Sequence, residues 1–145
     1  MVDRELVLRK VAALEQYLAE LDEFRHITLE SYVAERKTQR IVERTLHLAI
    51  ETCLDLAEHL IADRRLRVPA SHAETFEILR DAALLPAGLA GSLVQMARFR
   101  NILVHDYARI DGARVVRILR DDLGDLVEFK RVVLELVSRG DAADP

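Results

Sequence analysis

The chain has 145 residues, of which 50% are hydrophobic and 32% are charged, and its formal net charge is −4. This length predicts a single domain over residues 1–145, and so large an apolar fraction excludes a disordered chain. The single cysteine, Cys53, excludes an internal disulfide and a thiolate metal cage, whereas the net charge neither indicates nor excludes nucleic-acid binding.

The N-terminal sequence MVDRELVLRK has no signal-peptide core, and no apolar run approaches the roughly 20 residues that a membrane span needs. We therefore expect a soluble cytoplasmic protein that does not associate with membranes. With 5 glycines and 3 prolines among abundant helix-forming residues, the composition is typical of an all-α fold.

The first helix is predicted over about residues 3–24, where apolar residues recur with helical periodicity. The apolar residues that define its face follow one another at spacings of three and four: Val7, Val11, Leu14, Leu18 and Leu21. A longer helix is predicted over about residues 29–66, and its apolar stripe contains Cys53, which favours a buried packing thiol over a reactive one.

Three further helices are predicted after Pro69. Ser71 and Glu74 have the spacing of a capping box and begin a short helix over about residues 73–83. The next helix follows Pro86 over about residues 87–105, and the last covers about residues 113–138 between an Asp111–Gly112 turn and Gly140. Residues 140–145 are predicted to be a frayed tail. The predicted architecture is an up-and-down bundle of four main helices with one short additional helix.

The helix over residues 87–105 is apolar on nearly every side, which predicts burial between its own bundle and a second subunit. Arg100 and Asn101 interrupt its apolar rows, and such polar groups are costly unless they find partners. A purely structural interpretation pairs Arg100 with a carboxylate at an interface and Asn101 with a neighbouring helix. His105 lies about 140° around the helix from Arg100. The two could act together if the helix ends or bends near His105, or if two copies meet in a dimer.

The segment RNILVH, with Arg100 and His105 as Arg-x-x-x-x-His, resembles the signature of the HEPN superfamily of helical-bundle ribonucleases. The extended form that includes Tyr107 resembles the HepT toxins more narrowly. The order of the surrounding helices agrees with that family over roughly residues 3–138.

The resemblance implies a homodimeric, metal-independent endoribonuclease that is the toxin of a type VII toxin–antitoxin system. Its catalytic residues would be Arg100 and His105, with Asn101 in a supporting role. The implied partner is an MntA-like nucleotidyltransferase antitoxin that transfers AMP from ATP onto Tyr107. The chain itself would need no cofactor, because the partner uses the ATP.

The residue types suit this chemistry. Metal-free cleavage requires the 2′-hydroxyl of the RNA to attack the adjacent phosphorus, and histidine, whose ordinary pKa is about 6.5, can accept or donate the protons. Arg100 offers planar donors for phosphate oxygens. The expected products are a 2′,3′-cyclic phosphate and a 5′-hydroxyl. Tyr107 could instead be an ordinary tyrosine at the edge of the core.

A basic stripe, formed by Arg36, Arg40 and Arg44 and followed on the same side by His47, lies to one side of the apolar stripe of the second predicted helix. It could contact an RNA backbone or the antitoxin, or it could be a solvated face with local ion pairs. Glu51 continues the same side with opposite charge.

Two other functions remain open from the sequence. One is a catalytically silent HEPN-type module that docks a nucleotidyltransferase, and the other is a plain helical dimer in which Arg100 forms an interface ion pair. The presence of Arg100, His105 and Tyr107 favours the nuclease. A zinc site is not expected, since the histidines at 26, 47, 59 and 72 lack ligand spacing.

Overall fold

The computed structural model describes residues 3–143, except for the side chains of Tyr107 and of residues 141–143. Its elements are α1 (Arg4–Asp22), α2 (Leu29–Ala34), α3 (Arg36–Asp63), α4 (His72–Asp81), α5 (Ala87–His105), a 3₁₀ turn (Tyr107–Arg109), α6 (Gly112–Arg117), a π-helical segment (Ile118–Asp122) and α7 (Leu123–Ala143). Within these residues, no helix is both long enough and apolar enough to cross a membrane.

Four long helices form the bundle, because α1 packs on α3, α3 on α5, α5 on α7, and α7 on α1. The short helix α4 packs against α3 and α5. Every residue of the predicted apolar face of α1 is buried, and Cys53 is fully buried in α3. Burial raises the pKa of the Cys53 thiol, so the prediction of a packing thiol is confirmed.

The prediction of one helix over residues 29–66 is wrong, because the chain bends at Glu35 and separates α2 from α3. Tyr32 is buried against α6, where a Cβ at Gly112 would lie 3.4 Å from its ring. The side-chain amide of Gln39 donates to the carbonyls of Tyr32 and Val33 at 2.8 and 3.0 Å. These two bonds replace the helical bonds that the break removes, so the bend leaves few carbonyls unsatisfied.

The prediction of one regular helix over residues 113–138 is also corrected. The helix begins at Gly112, Asp111 caps it by accepting from the Ala113 amide, and a π-helical segment interrupts it. Gly140 does not end α7, which reaches Ala143. Glycine costs only about 1 kcal/mol inside a helix, so it does not by itself force an end. Residues 144 and 145 of the predicted frayed tail lie outside the described residues.

The capping box predicted before α4 is confirmed and fixes where that helix begins. Ser71 Oγ accepts from the Glu74 amide at 3.2 Å, and Glu74 Oε2 accepts from the Ala70 amide at 3.0 Å. Arg67 also forms an ion pair with Glu74. As a result α4 starts at His72, whose ring reaches the side of α5.

Candidate active site

Helix α5 has the bounds that the sequence predicts, but it is not buried on every side. Its bundle covers one face, and the opposite face is exposed at small or polar positions: Gly91, Gln95, Arg98, Asn101 and His105. These residues recur at spacings of three and four, so they form a continuous face that the high apolar content of the helix concealed. The burial argument for a second subunit is therefore wrong, since one chain already covers the apolar face.

Arg100 is held by a carboxylate of its own chain. Its Nε donates to Glu51 Oε2 at 2.7 Å, and the Arg100 side chain is 13% exposed. Its Nη1 donates to Asn101 Oδ1 at 3.2 Å. The purely structural interpretation predicted an ion pair between Arg100 and a carboxylate at an interface. The ion pair is present, but its carboxylate lies on α3 of the same chain.

Asn101 connects α5 to α4. Its side chain is exposed, and its Oδ1 lies 3.4 Å from Nδ1 of His72. The same oxygen accepts from Arg100, so Asn101 contacts the guanidinium in addition to Glu51. The predicted bond between Asn101 and a neighbouring helix is thereby found.

His47 extends the contacts of Arg100 along α3. Its Nε2 lies 3.7 Å from Glu51 Oε2, and its Nδ1 lies 3.2 Å from Nη1 of Arg44. Burial and the positive charge of Arg100 lower the pKa of His47, and Arg44 adds to this effect while Glu51 opposes it. We call this set of six residues the polar network: Arg44, His47, Glu51, His72, Arg100 and Asn101.

His105 is the last residue of α5 and is exposed. Among the described side chains no hydrogen bond or ion pair joins it to Arg100 or to the rest of the polar network. Because α5 stays helical through His105, the divergence of about 140° from Arg100 persists within one chain. Tyr107 begins the 3₁₀ turn two residues later, and its side chain lies outside the described part of the structure.

The basic stripe is exposed along the first turns of α3. Arg40 lies 3.5 Å from Glu43, whereas Arg36 has no ion pair with any described side chain. Arg44 belongs both to this stripe and to the polar network. The stripe therefore leads from the N-terminal end of α3 to Arg100.

The sequence does not reveal Glu51, His47 and His72 as neighbours of Arg100. His47 and Glu51 are four residues apart and continue the side of α3 that carries the basic stripe. This shared side is the one sequence feature that could have indicated that they belong to the site. Their contact with α5 depends on how two helices pack, and periodicity within one helix cannot show that. Within residues 3–143, apart from the side chains left undescribed, no three histidine, cysteine or acidic side chains are grouped as metal ligands would be.

The all-helical bundle, with Arg100 and His105 near the C-terminal end of α5, agrees with the class of HEPN-type helical-bundle ribonucleases. Residues 14–133 match the family described as Ribonuclease HepT-like. The chain belongs to this family, since the match covers most of its length.

Relatives of this chain include two HepT proteins that are named as nucleases. The mRNA nuclease HepT of Shewanella oneidensis is 25% identical over 129 residues, which cover 89% of this chain and 96% of that protein. The tRNA nuclease HepT of Aphanizomenon flos-aquae is 26% identical over 114 residues, which cover 79% of this chain and 78% of that protein. A solved structure of the tri-AMPylated HEPN toxin of Shewanella oneidensis in complex with the MNT antitoxin has a TM-score of 0.83 and 25% identity, covering 93% of this chain and 99% of that one.

Proposed function

We propose that this chain is the endoribonuclease toxin of a type VII toxin–antitoxin pair and that it cleaves RNA without a metal ion. The observation that carries the proposal is the restraint of Arg100 by Glu51 and Asn101, in a chain of the HepT-like family. Arginine has five N–H donors, and these two contacts use two of them. Three donors therefore have no described partner, and we assign them to the oxygens of a phosphate.

In the proposed reaction the 2′-hydroxyl of a ribose attacks the adjacent phosphorus. The new bond joins the 2′-oxygen to phosphorus, and the bond from phosphorus to the 5′-oxygen breaks. A neutral His105 accepts the proton of the 2′-hydroxyl, and a protonated His105 gives one to the leaving oxygen. Arg100 stabilises the negative charge that develops on the phosphoryl oxygens. The products are a 2′,3′-cyclic phosphate and a 5′-hydroxyl.

The site is proposed to form between two copies of the chain. On one α5, Arg100 and His105 point in directions about 140° apart, so one protomer alone does not present both to one phosphate. The exposed face of α5 ends in Asn101 and His105. A second copy on this face would bring two histidines together, and these could divide the roles of base and acid.

Tyr107 is proposed as the residue that shuts off the nuclease. An MntA-like nucleotidyltransferase antitoxin would transfer AMP from ATP onto the Tyr107 hydroxyl, with release of pyrophosphate. The Shewanella toxin in the solved complex is AMPylated and is bound to its MNT antitoxin. Since Tyr107 is two residues from His105, the added bulk and negative charge would exclude RNA from the site.

The first prediction concerns cleavage itself. With EDTA present, Arg100→Gln and His105→Ala are expected to lower the cleavage rate by about 10²–10³-fold, because each removes a group that stabilises the transition state or moves a proton. The measurement is single-turnover cleavage of a set of RNAs, with chemical mapping of the product ends. Arg9→Ala and His26→Ala are matched controls at exposed positions away from α5 and should retain full activity.

Two outcomes would contradict this assignment. Cleavage that persists in both variants would remove Arg100 and His105 from catalysis. A wild-type chain that cuts none of the RNAs would favour the catalytically silent module that docks a nucleotidyltransferase, with Arg100 held by Glu51 for structure alone.

The second prediction is that the chain is a dimer in solution. Light scattering at micromolar concentration should give twice the chain mass of 16.5 kDa. Mixing inactive Arg100→Gln and His105→Ala proteins should restore part of the activity if each protomer supplies residues to a shared site. A stable monomer that cleaves RNA would overturn the two-copy site.

The third prediction concerns the basic stripe, for which we propose contact with the RNA backbone. Each phosphate contact contributes about 0.7 to the slope of log affinity against log salt for single strands, so Arg36→Ala with Arg40→Ala should reduce that slope by about 1.4. RNA binding is measured by titration at several salt concentrations. Arg9→Ala, on the exposed side of α1, is the control and should leave the slope unchanged. An unchanged slope in the double variant, with weaker binding of the antitoxin, would assign the stripe to the partner.

The fourth prediction tests Tyr107. Incubation with an MntA-like nucleotidyltransferase and ATP should add AMP to the peptide that contains Tyr107, as seen by mass spectrometry, and should abolish RNA cleavage. Tyr107→Phe should cleave RNA and resist inactivation, because it lacks the acceptor hydroxyl. Tyr17→Phe is the control and should be inactivated as the wild type is. AMP found on other residues, with inactivation of Tyr107→Phe, would contradict the assignment.

A further inference from the structure

One carboxylate oxygen of Glu51 faces two basic side chains. Its Oε2 accepts from Nε of Arg100 at 2.7 Å and lies 3.7 Å from Nε2 of His47. Arg100 and His47 are both largely shielded from water, with side chains 13% and 19% exposed. Because the two groups share one acceptor, the charge of His47 affects how firmly Glu51 holds Arg100.

The contact with Arg44 is compatible with only one form of His47. A guanidinium donates and does not accept, so Nδ1 of His47, which lies 3.2 Å from Nη1 of Arg44, must be the acceptor. The ring proton of the neutral imidazole then resides on Nε2, which faces Glu51. His47 is therefore neutral in this arrangement and directs its one N–H toward the carboxylate.

We propose that Glu51 and His47 are positioning residues for Arg100: with His47 neutral, Glu51 orients the guanidinium toward the phosphate, and a proton on His47 draws Glu51 away from Arg100. This inference rests on the proposed nuclease function, in which Arg100 contacts the phosphate. It assigns Glu51 and His47 no contact with RNA.

Protonation of His47 changes two contacts at once. The new proton on Nδ1 points at a donor of Arg44, so that contact becomes repulsive. The imidazolium then competes with Arg100 for Glu51 Oε2. The charged groups that face His47 are Arg44 and Glu51 on α3 and Arg100 on α5, and the two arginines together with burial outweigh the carboxylate.

The direction of the pH effect follows from these charges. The pKa of His47 is lowered from its ordinary value of 6.5, so the neutral form is retained at neutral pH and is lost only in acid. On the acid side of the pH–rate profile, cleavage then requires two neutral histidines. His47 is needed for positioning and His105 is needed as the base. In acid, the protonation of His47 should add about one to the slope of the logarithm of the rate against pH that the base alone gives, for a total of about two.

The test is the pH profile of kcat for RNA cleavage in His47→Gln. Glutamine can accept from Arg44 but cannot take up a proton, so the acid slope should fall from about two to about one, with the neutral-pH rate within about threefold of wild type. His26→Gln, at an exposed histidine, is the matched control and should keep the wild-type slope. An unchanged slope in His47→Gln would overturn the role of His47.

Glu51→Gln tests the other half of the proposal. The amide preserves the size of the side chain but removes the charge that orients Arg100, so kcat should fall by about 10–10²-fold while KM changes little. Wild-type kcat in this variant, confirmed as folded by its unfolding midpoint, would overturn the role of Glu51.

A measurement without RNA separates this inference from the proposed function. In NMR titrations the Nε–H signal of Arg100 and the ring protons of His47 should shift with one midpoint in the wild type. The Arg100 shift should disappear in His47→Gln. Separate midpoints in a protein that cleaves RNA would overturn the positioning role alone. Coincident midpoints in a protein that cleaves no RNA would overturn the nuclease function and leave the link between His47 and Arg100 in place.

Discussion

The ion pair between Arg100 and Glu51 is the interaction on which the candidate site depends. A guanidinium keeps its charge at every accessible pH, so a side chain that is 13% exposed needs a partner that compensates its lost hydration. Glu51 supplies that partner from α3, the helix that packs against α1, α4, α5 and α7. The pair ties the last turns of α5 to the middle of the bundle. Asn101 accepts from the same guanidinium, and its oxygen also lies 3.4 Å from His72 on α4.

This arrangement shows how a chain of net charge −4 can retain positive side chains where the proposed RNA substrate would bind. Its acidic residues are used locally, as Glu43 is with Arg40 and Glu51 with Arg100, whereas Arg36 stays without an ion pair among the described side chains. Net charge therefore says little about recognition, and the positions of individual guanidinium groups on α3 and α5 say more. The basic stripe is connected to Arg100 by side-chain contacts, because Arg44 contacts His47 and His47 adjoins Glu51, which binds Arg100.

Much of the fold could be predicted from the sequence, because periodicity reports which face of a helix is buried. The stripe from Val7 to Leu21 and the bounds of α5 are confirmed. The bend at Glu35 could not be found in this way, since it depends on Tyr32 packing against a distant helix. The same limit applies to the site. The sequence indicates Arg100, because it is a charge within an apolar row. Its neighbours Glu51 and His47 lie about 50 residues away in the chain and approach it only when α3 and α5 pack.

The central claim is that Glu51 holds Arg100, and a double-mutant cycle on the free energy of unfolding tests it most directly. The cycle compares the wild type with Arg100→Gln, Glu51→Gln and the double variant, and uses the exposed pair Arg131–Glu128 as the reference. We predict a coupling energy of about 1.5–3 kcal/mol for Arg100 and Glu51, as for hydrogen bonds to charged groups, and a clearly smaller one for the fully exposed reference pair. A coupling energy for Arg100 and Glu51 no larger than that of the reference pair would contradict the account.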